Sequence, residues 1–236
     1  METQTESSNT SEKQETIPHP GSVDTLDQLS SGRDGLERYR IMEDFGQYIL
    51  NGVGGDILEI GVGESSHFLT KIAKKYNRRI FHCDISPSKI INPMTVKGYL
   101  SDAEEITYFE ERDPNPQNFK RVVCYAGSSD SLFKRVPITP LAMVFIDGDH
   151  NYLQAKKDFE NVWPLVVENG FVLLHDTYPP SEDYVDENKC GDVFKLRQQL
   201  KWQDDLDMLT LTRGTCIGVG LTIIRKHEKN RPYYKV

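Results

Sequence analysis

Met143-Val144-Phe145-Ile146-Asp147-Gly148-Asp149-His150-Asn151-Tyr152 is an apolar run that stops abruptly in two carboxylates and an imidazole. Residues 141–146 have the length and composition of a strand buried on both faces. The polar groups then emerge at its carboxyl end, where open α/β sheets bind ligands. The string implies a site as well as a fold.

Working outward, short apolar runs alternate with helical patterns. Strands are expected at 56–60, 79–83, 121–125, 141–146 and 170–175, with helices near 66–76, 130–136 and 152–166. That alternation predicts an α/β fold, a doubly wound and mainly parallel sheet of seven strands with helices on both faces. A helix near 192–202 and two runs at 207–212 and 217–225 follow, and the two runs predict a C-terminal antiparallel hairpin. Apolar residues at helical spacing between 33 and 50 predict a leading helix, stopped by Asn51-Gly52. Residues 33–236 therefore read as one domain. Residues 1–32, rich in Thr, Ser, Glu, Gln and Pro, are expected to form a disordered polar tail. Two long excursions, 87–120 and 178–191, are expected to carry substrate contacts. The acids of the second, among them Glu182, Asp183 and Asp186, point to a neutral or cationic ligand.

Bulk properties narrow the class. The 236 residues suffice for one well-buried domain, and a net charge of -8 without a Lys/Arg stripe argues against nucleic acid as the primary partner. No run approaches the roughly 18 apolar residues that span a bilayer, and no secretory signal pattern opens the chain. Cys83, Cys124, Cys190 and Cys216 are dispersed without a C-x-x-C pair. A reduced, cytoplasmic setting is expected, with neither a zinc knuckle nor a disulfide framework. The oligomeric state is not legible, and a homodimer is compatible with the chain.

The first strand runs into Glu59-Ile60-Gly61-Val62-Gly63-Glu64-Ser65-Ser66. Glycines at a strand-to-helix turn let a ligand approach the main chain, and the helix start offers N–H donors. A dinucleotide fingerprint wants a third glycine or alanine where Ser66 stands. Asp84, at the second strand's end, is placed to accept ribose hydroxyls. Gly127-Ser128-Ser129-Asp130, after the third strand, is placed to flank an adenine. Each of these could equally be a turn or a helix cap; their recurrence at three successive strand ends favours a nucleotide site.

From Gly55 to Lys226 the chain resembles the class I S-adenosylmethionine-dependent methyltransferases, which have a Rossmann-like sheet. The resemblance rests on Glu-x-Gly-x-Gly at 59–63, Asp84, Gly127–Ser129, Ile-Asp-Gly-Asp-His at 146–150, Trp-Pro-Leu-Val at 163–166 and Leu-Leu-His-Asp at 173–176. It implies that Glu59, Gly61, Gly63, Asp84, Ser128, Ser129 and Asp147 contact S-adenosylmethionine. Metal-dependent small-molecule and sugar O-methyltransferases look most similar, which implies a hydroxyl acceptor on a small molecule or glycan. Methyl transfer to oxygen needs a deprotonated nucleophile, supplied by a base near neutrality or by a divalent metal. His150 suits the first role, with Asp147 beside it in catalysis. Asp147 and Asp176 suit Mg²⁺ or Mn²⁺, with His175 as a further ligand where those enzymes usually have a second acid or amide. Asp149 reads as a helix cap. Rival readings are a nicotinamide-dependent oxidoreductase, a non-catalytic nucleotide-binding protein, and a hydroxylase or hydrolase on the same sheet.

Overall fold

The computed structural model describes residues 40–90, 106–186, 188–212 and 219–228. The expected tail at 1–32, residues 91–105 of the first excursion, Glu187 and Cys216 lie outside the described residues.

The elements run α1 (Arg40–Gly52), β1 (Asp56–Ile60), α2 (Ser65–Lys75), β2 (Ile80–Asp84), β3 (Ile106–Glu110), β4 (Val122–Ala126), α3 (Ser129–Arg135), β5 (Leu141–Ile146), α4 (Tyr152–Val162), β6 (Val166–His175), α5 (Phe194–Leu200), β7 (Leu206–Leu211) and β8 (Leu221–Lys226). The sheet order is β3-β4-β2-β1-β5-β6-β8-β7. The strands from β3 to β6 in that order pair in parallel, and β8 returns antiparallel to both β6 and β7. The expected hairpin is present, although the sheet has eight strands where seven were expected.

The additional strand, β3, lies inside the 87–120 excursion that reads as a loop. Only Phe109 of its five residues is buried, because β3 is an edge strand. An edge position needs one apolar contact face, so Ile106-Thr107-Tyr108-Phe109 carries β-forming residues without a long apolar run. The fifth expected strand also begins earlier, at Val166. Asn169 at φ 63 sits where the pairing with β5 slips register, so Asn169-Gly170 is an irregularity inside a strand.

Alternation along fully buried strands sends side chains to two cores. Leu58, Phe81, Val144 and Leu174 meet Leu132, Phe159, Leu196 and Leu200 of α3, α4 and α5. Ile57, Ile80, Val122 and Phe145 meet Met42, Ile49, Leu69 and Ile72 of α1 and α2. The chain moves outward from β1 to one side and, after β4, returns to build the other from β5. The carboxyl ends of β1 and β5 therefore flank the switch point, where such sheets bind ligands.

Candidate active site

At the switch point Gly61 adopts φ +90, and a Cβ there would lie 2.0 Å from the Asp147 carbonyl oxygen. The β1 turn can abut the β5 turn only without that side chain. A Cβ on Gly63 would meet nothing within 4 Å, so its bare face opens outward. Glu64, at the start of α2, makes no side-chain cap, leaving the helix N–H groups to other acceptors. Bare backbone and helix start together make a cradle that fits a ligand with anionic or polar groups.

Glu59 is fully buried, and its carboxylate accepts from Ser65 Oγ at 2.5 Å, Ser66 Oγ at 2.7 Å and His82 Nδ1 at 2.5 Å. Because a carboxylate only accepts, Nδ1 carries the proton, and Thr70 meets Nε2 at 3.0 Å. Glu59 thus bolts the start of α2 to β2. Asp84 Oδ2 accepts from the Val62 N–H at 2.9 Å and Oδ1 from the Ser86 N–H at 2.8 Å. Each oxygen retains a second lone pair for a hydroxyl donor.

Beyond β4, Ser128 caps α3 by accepting from the Ser131 N–H, and its own N–H donates to Glu111 at 3.2 Å. Ser129 Oγ donates to Asp158 at 2.6 Å, and Gln154 Nε2 donates to the same Asp158 oxygen at 3.0 Å. Burial pushes the Asp158 carboxyl up to about 6 against those two donors, with Asp130 and Asp149 adding to the rise.

Where β5 and β6 end side by side, four titratable groups converge. His175 Nδ1 stands 3.1 Å from Asp147 and 3.3 Å from Asp176, and His150 Nε2 stands 3.1 Å from the other Asp176 oxygen. Asp176 is held at φ 57, a left-handed conformation that aspartate tolerates better than most residues. Burial is the largest single influence on His175 and lowers its pKa, but the two carboxylates outweigh it and push the ring up to about 10. Ligand atoms of Asp147, His175 and Asp176 all lie within 4.8 Å of one another, a spacing and donor set that fit one divalent cation. To bind it, His175 must release the proton shared with the acids. Asp149 is not the helix cap: Asn151 caps α4 by accepting from the Leu153 N–H at 2.9 Å, while Asp149 accepts from the Asn151 N–H.

The end of the second excursion closes on this cluster. The Cys190 thiol donates to Asp176, and burial followed by the Asp176 charge pushes it up to about 12. Gly191 at φ +55 lies so near His150 that a Cβ would be 1.9 Å from the His150 carbonyl oxygen. The Asp192 N–H donates to that oxygen at 3.0 Å, and the Asp192 carboxylate accepts from the Tyr152 N–H at 2.5 Å. The three residues clasp His150 and Asp176 together. The sequence reading singled out 178–191 for substrate contacts but missed that its end, with Asp192, packs on His150 and Asp176, a contact between segments some 40 residues apart.

A model described as a methyltransferase domain matches residues 58–177, just over half of the chain. No curated protein matches it. Among solved structures, a putative caffeoyl-CoA O-methyltransferase from Staphylococcus aureus superposes with a TM-score of 0.55 at 19% identity, covering 86% of this chain and 97% of that one. An O-methyltransferase from Bacillus cereus in complex with SAH gives 0.60 at 13%, covering 89% and 92%. A putative rRNA-methylase from Clostridium thermocellum gives 0.53 at 17%, covering 79% and 96%. These likenesses establish the fold; their differing acceptors leave the substrate to the site itself. Among the described residues no helix is long and apolar enough to cross a membrane.

Proposed function

The chain belongs to the methyltransferase-domain family, and from that premise we propose that it moves a methyl group from S-adenosylmethionine to a hydroxyl of a small molecule or glycan, with His150 as general base. The observation that carries this reading is the His150–Asp176 pair at 3.1 Å, standing across the switch point from the open face of Gly63.

When bound, S-adenosylmethionine supplies an electrophilic methyl on a sulfonium. Gly63 offers it bare backbone, Gly61 lets the β1 turn close against the β5 turn beside it, and Asp84 has lone pairs for its ribose hydroxyls. Glu59 and Ser129 act behind that surface, since their side chains already answer other groups of the chain. Asp176 accepts from His150 Nε2–H, which fixes the neutral ring's lone pair on Nδ1. Nδ1 would be the atom that takes the acceptor hydroxyl's proton as the methyl passes in line from sulfur to that oxygen, with S-adenosylhomocysteine as the leaving group. Holding oxygen and methyl in register can itself contribute an effective molarity of roughly 10⁵–10⁸ M.

Asp147, His175 and Asp176 would hold Mg²⁺ or Mn²⁺, an ion that would acidify a bound hydroxyl. The methyltransferase-domain match weighs against the nicotinamide reading, as does Ser66, whose hydroxyl is engaged with Glu59. The net charge of -8 keeps a small acceptor ahead of nucleic acid. The test is mass spectrometry of co-purified ligand, then turnover on a panel of hydroxyl acceptors with and without chelator. If His150→Ala and Asp147→Ala both left turnover unchanged, the mechanism would be wrong.

A further inference from the structure

Arg197 lies on α5 with its guanidinium 5.1 Å over the ring of Tyr178. Its Nε is buried without a hydrogen-bond partner, and among the described residues no carboxylate pairs with it. Arg78 shares the orphaned Nε, but its Nη2 donates to the Leu50 and Val53 carbonyl oxygens. The buried Nε itself is out of a ligand's reach, but the Nη groups, also without an acceptor among the described residues, are not sealed off, so the geometry at Arg197 calls for an external acceptor there.

Its position specifies which. Tyr178 follows Asp176 by two residues, its N–H donates to the Val219 carbonyl oxygen at 2.9 Å, and Gly220 packs against its Cβ. Asp192, bonded to His150, lies in the turn that leads into α5, five residues before Arg197. Helical side chains lean toward the helix start, which directs Arg197 back toward the His150 end. Stacking on Tyr178 covers one face of the guanidinium and leaves its N–H edge, the edge that pairs with oxyanions in two parallel hydrogen bonds. The acids Glu182, Asp183 and Asp186 are exposed, and Asp186 is engaged by Asn188.

We propose that Arg197 and Tyr178 form a recognition subsite for an acidic group, a carboxylate or phosphate, carried by the methyl acceptor. This deepens the methyl-transfer reading and rests on it, and it replaces the neutral or cationic acceptor that the composition of the second excursion implies.

The test is calorimetric titration of the full chain with para-hydroxybenzoate, phenyl phosphate and the neutral para-hydroxybenzyl alcohol, with and without S-adenosylhomocysteine. At least one anion should bind about tenfold or more tighter than the alcohol, and whichever does identifies the group. Arg197→Gln should abolish that preference and Arg197→Lys retain part of it, with S-adenosylhomocysteine affinity unchanged in both. No preference in the wild type, or one that survives Arg197→Gln, overturns the subsite. If the glutamine variant does not fold, the wild-type comparison alone decides. Failure of S-adenosylhomocysteine to bind would count against the methyl-transfer reading instead, because the anion preference is also measured without it.

Discussion

Glu59 on β1 and Asp147 just beyond β5 stand on adjacent parallel strands, yet their surroundings differ. Glu59 is fully buried, and three neutralising or hydrogen-bonding partners answer it at 2.5–2.7 Å. Asp147 is 20% exposed, shares one imidazole with a second carboxylate, and adjoins a residue pair whose His150 is 29% exposed. The first arrangement makes a rigid floor for the glycine turn. The second leaves charge that a substrate, a metal or a proton can complete, as expected where reacting groups must change state.

The largest effect that would break this contrast is at His150. His150→Ala should lower kcat by about 10²–10⁴ while the S-adenosylmethionine Kd stays put; steady-state kinetics beside calorimetry reads both. Glu59→Ala should do the reverse, costing roughly 3–5 kcal/mol of stability by stranding His82, Ser65 and Ser66, as measured in denaturant melts. A Glu59→Ala protein of normal stability would remove the distinction between floor and chemistry. Gly191→Ala forces a side chain into the His150 carbonyl at positive φ. A loss of about 1–3 kcal/mol is expected, with kcat falling more than cofactor affinity because the clasp acts through His150.

The smallest effect is a pH dependence at Asp158, the acceptor of the Ser129 hydroxyl. Asp158 titrates near 3.8 when unfolded and near 6 in the fold, so between those values the native state holds the extra proton. Stability should therefore fall as pH rises from about 4 through about 6, by on the order of 2 kcal/mol. Thermal melts of Asp158→Asn should lack that fall, leaving the variant the more stable at neutral pH.

Much of this was legible in the chain. Strands β1, β2, β4 and β5 and the hairpin carry dense apolar runs bounded by turn residues, because two-sided burial demands them. Edge strand β3 escaped for the opposite reason, since one buried Phe109 suffices there. At the site, Asp147, His150, His175 and Asp176 could be named from strand ends. Glu59, Ser128 and Ser129 could be named too, but not their engagement with His82, Glu111 and Asp158, whose partners are 17 to 29 residues away.

By itself, the sequence determined the mainly parallel α/β class, the closing hairpin and the acids at the strand carboxyl ends, because burial periodicity and chain order are local properties of the string. Only the tertiary structure decided which of those acids is satisfied inside the protein and which remains for chemistry. It alone brought Cys190, Gly191 and Asp192 onto the His150–Asp176 pair, and laid Arg197 over Tyr178. Hydrogen bonds and close approaches between distant segments depend on where the packed elements place their ends, and no spacing along the chain encodes that.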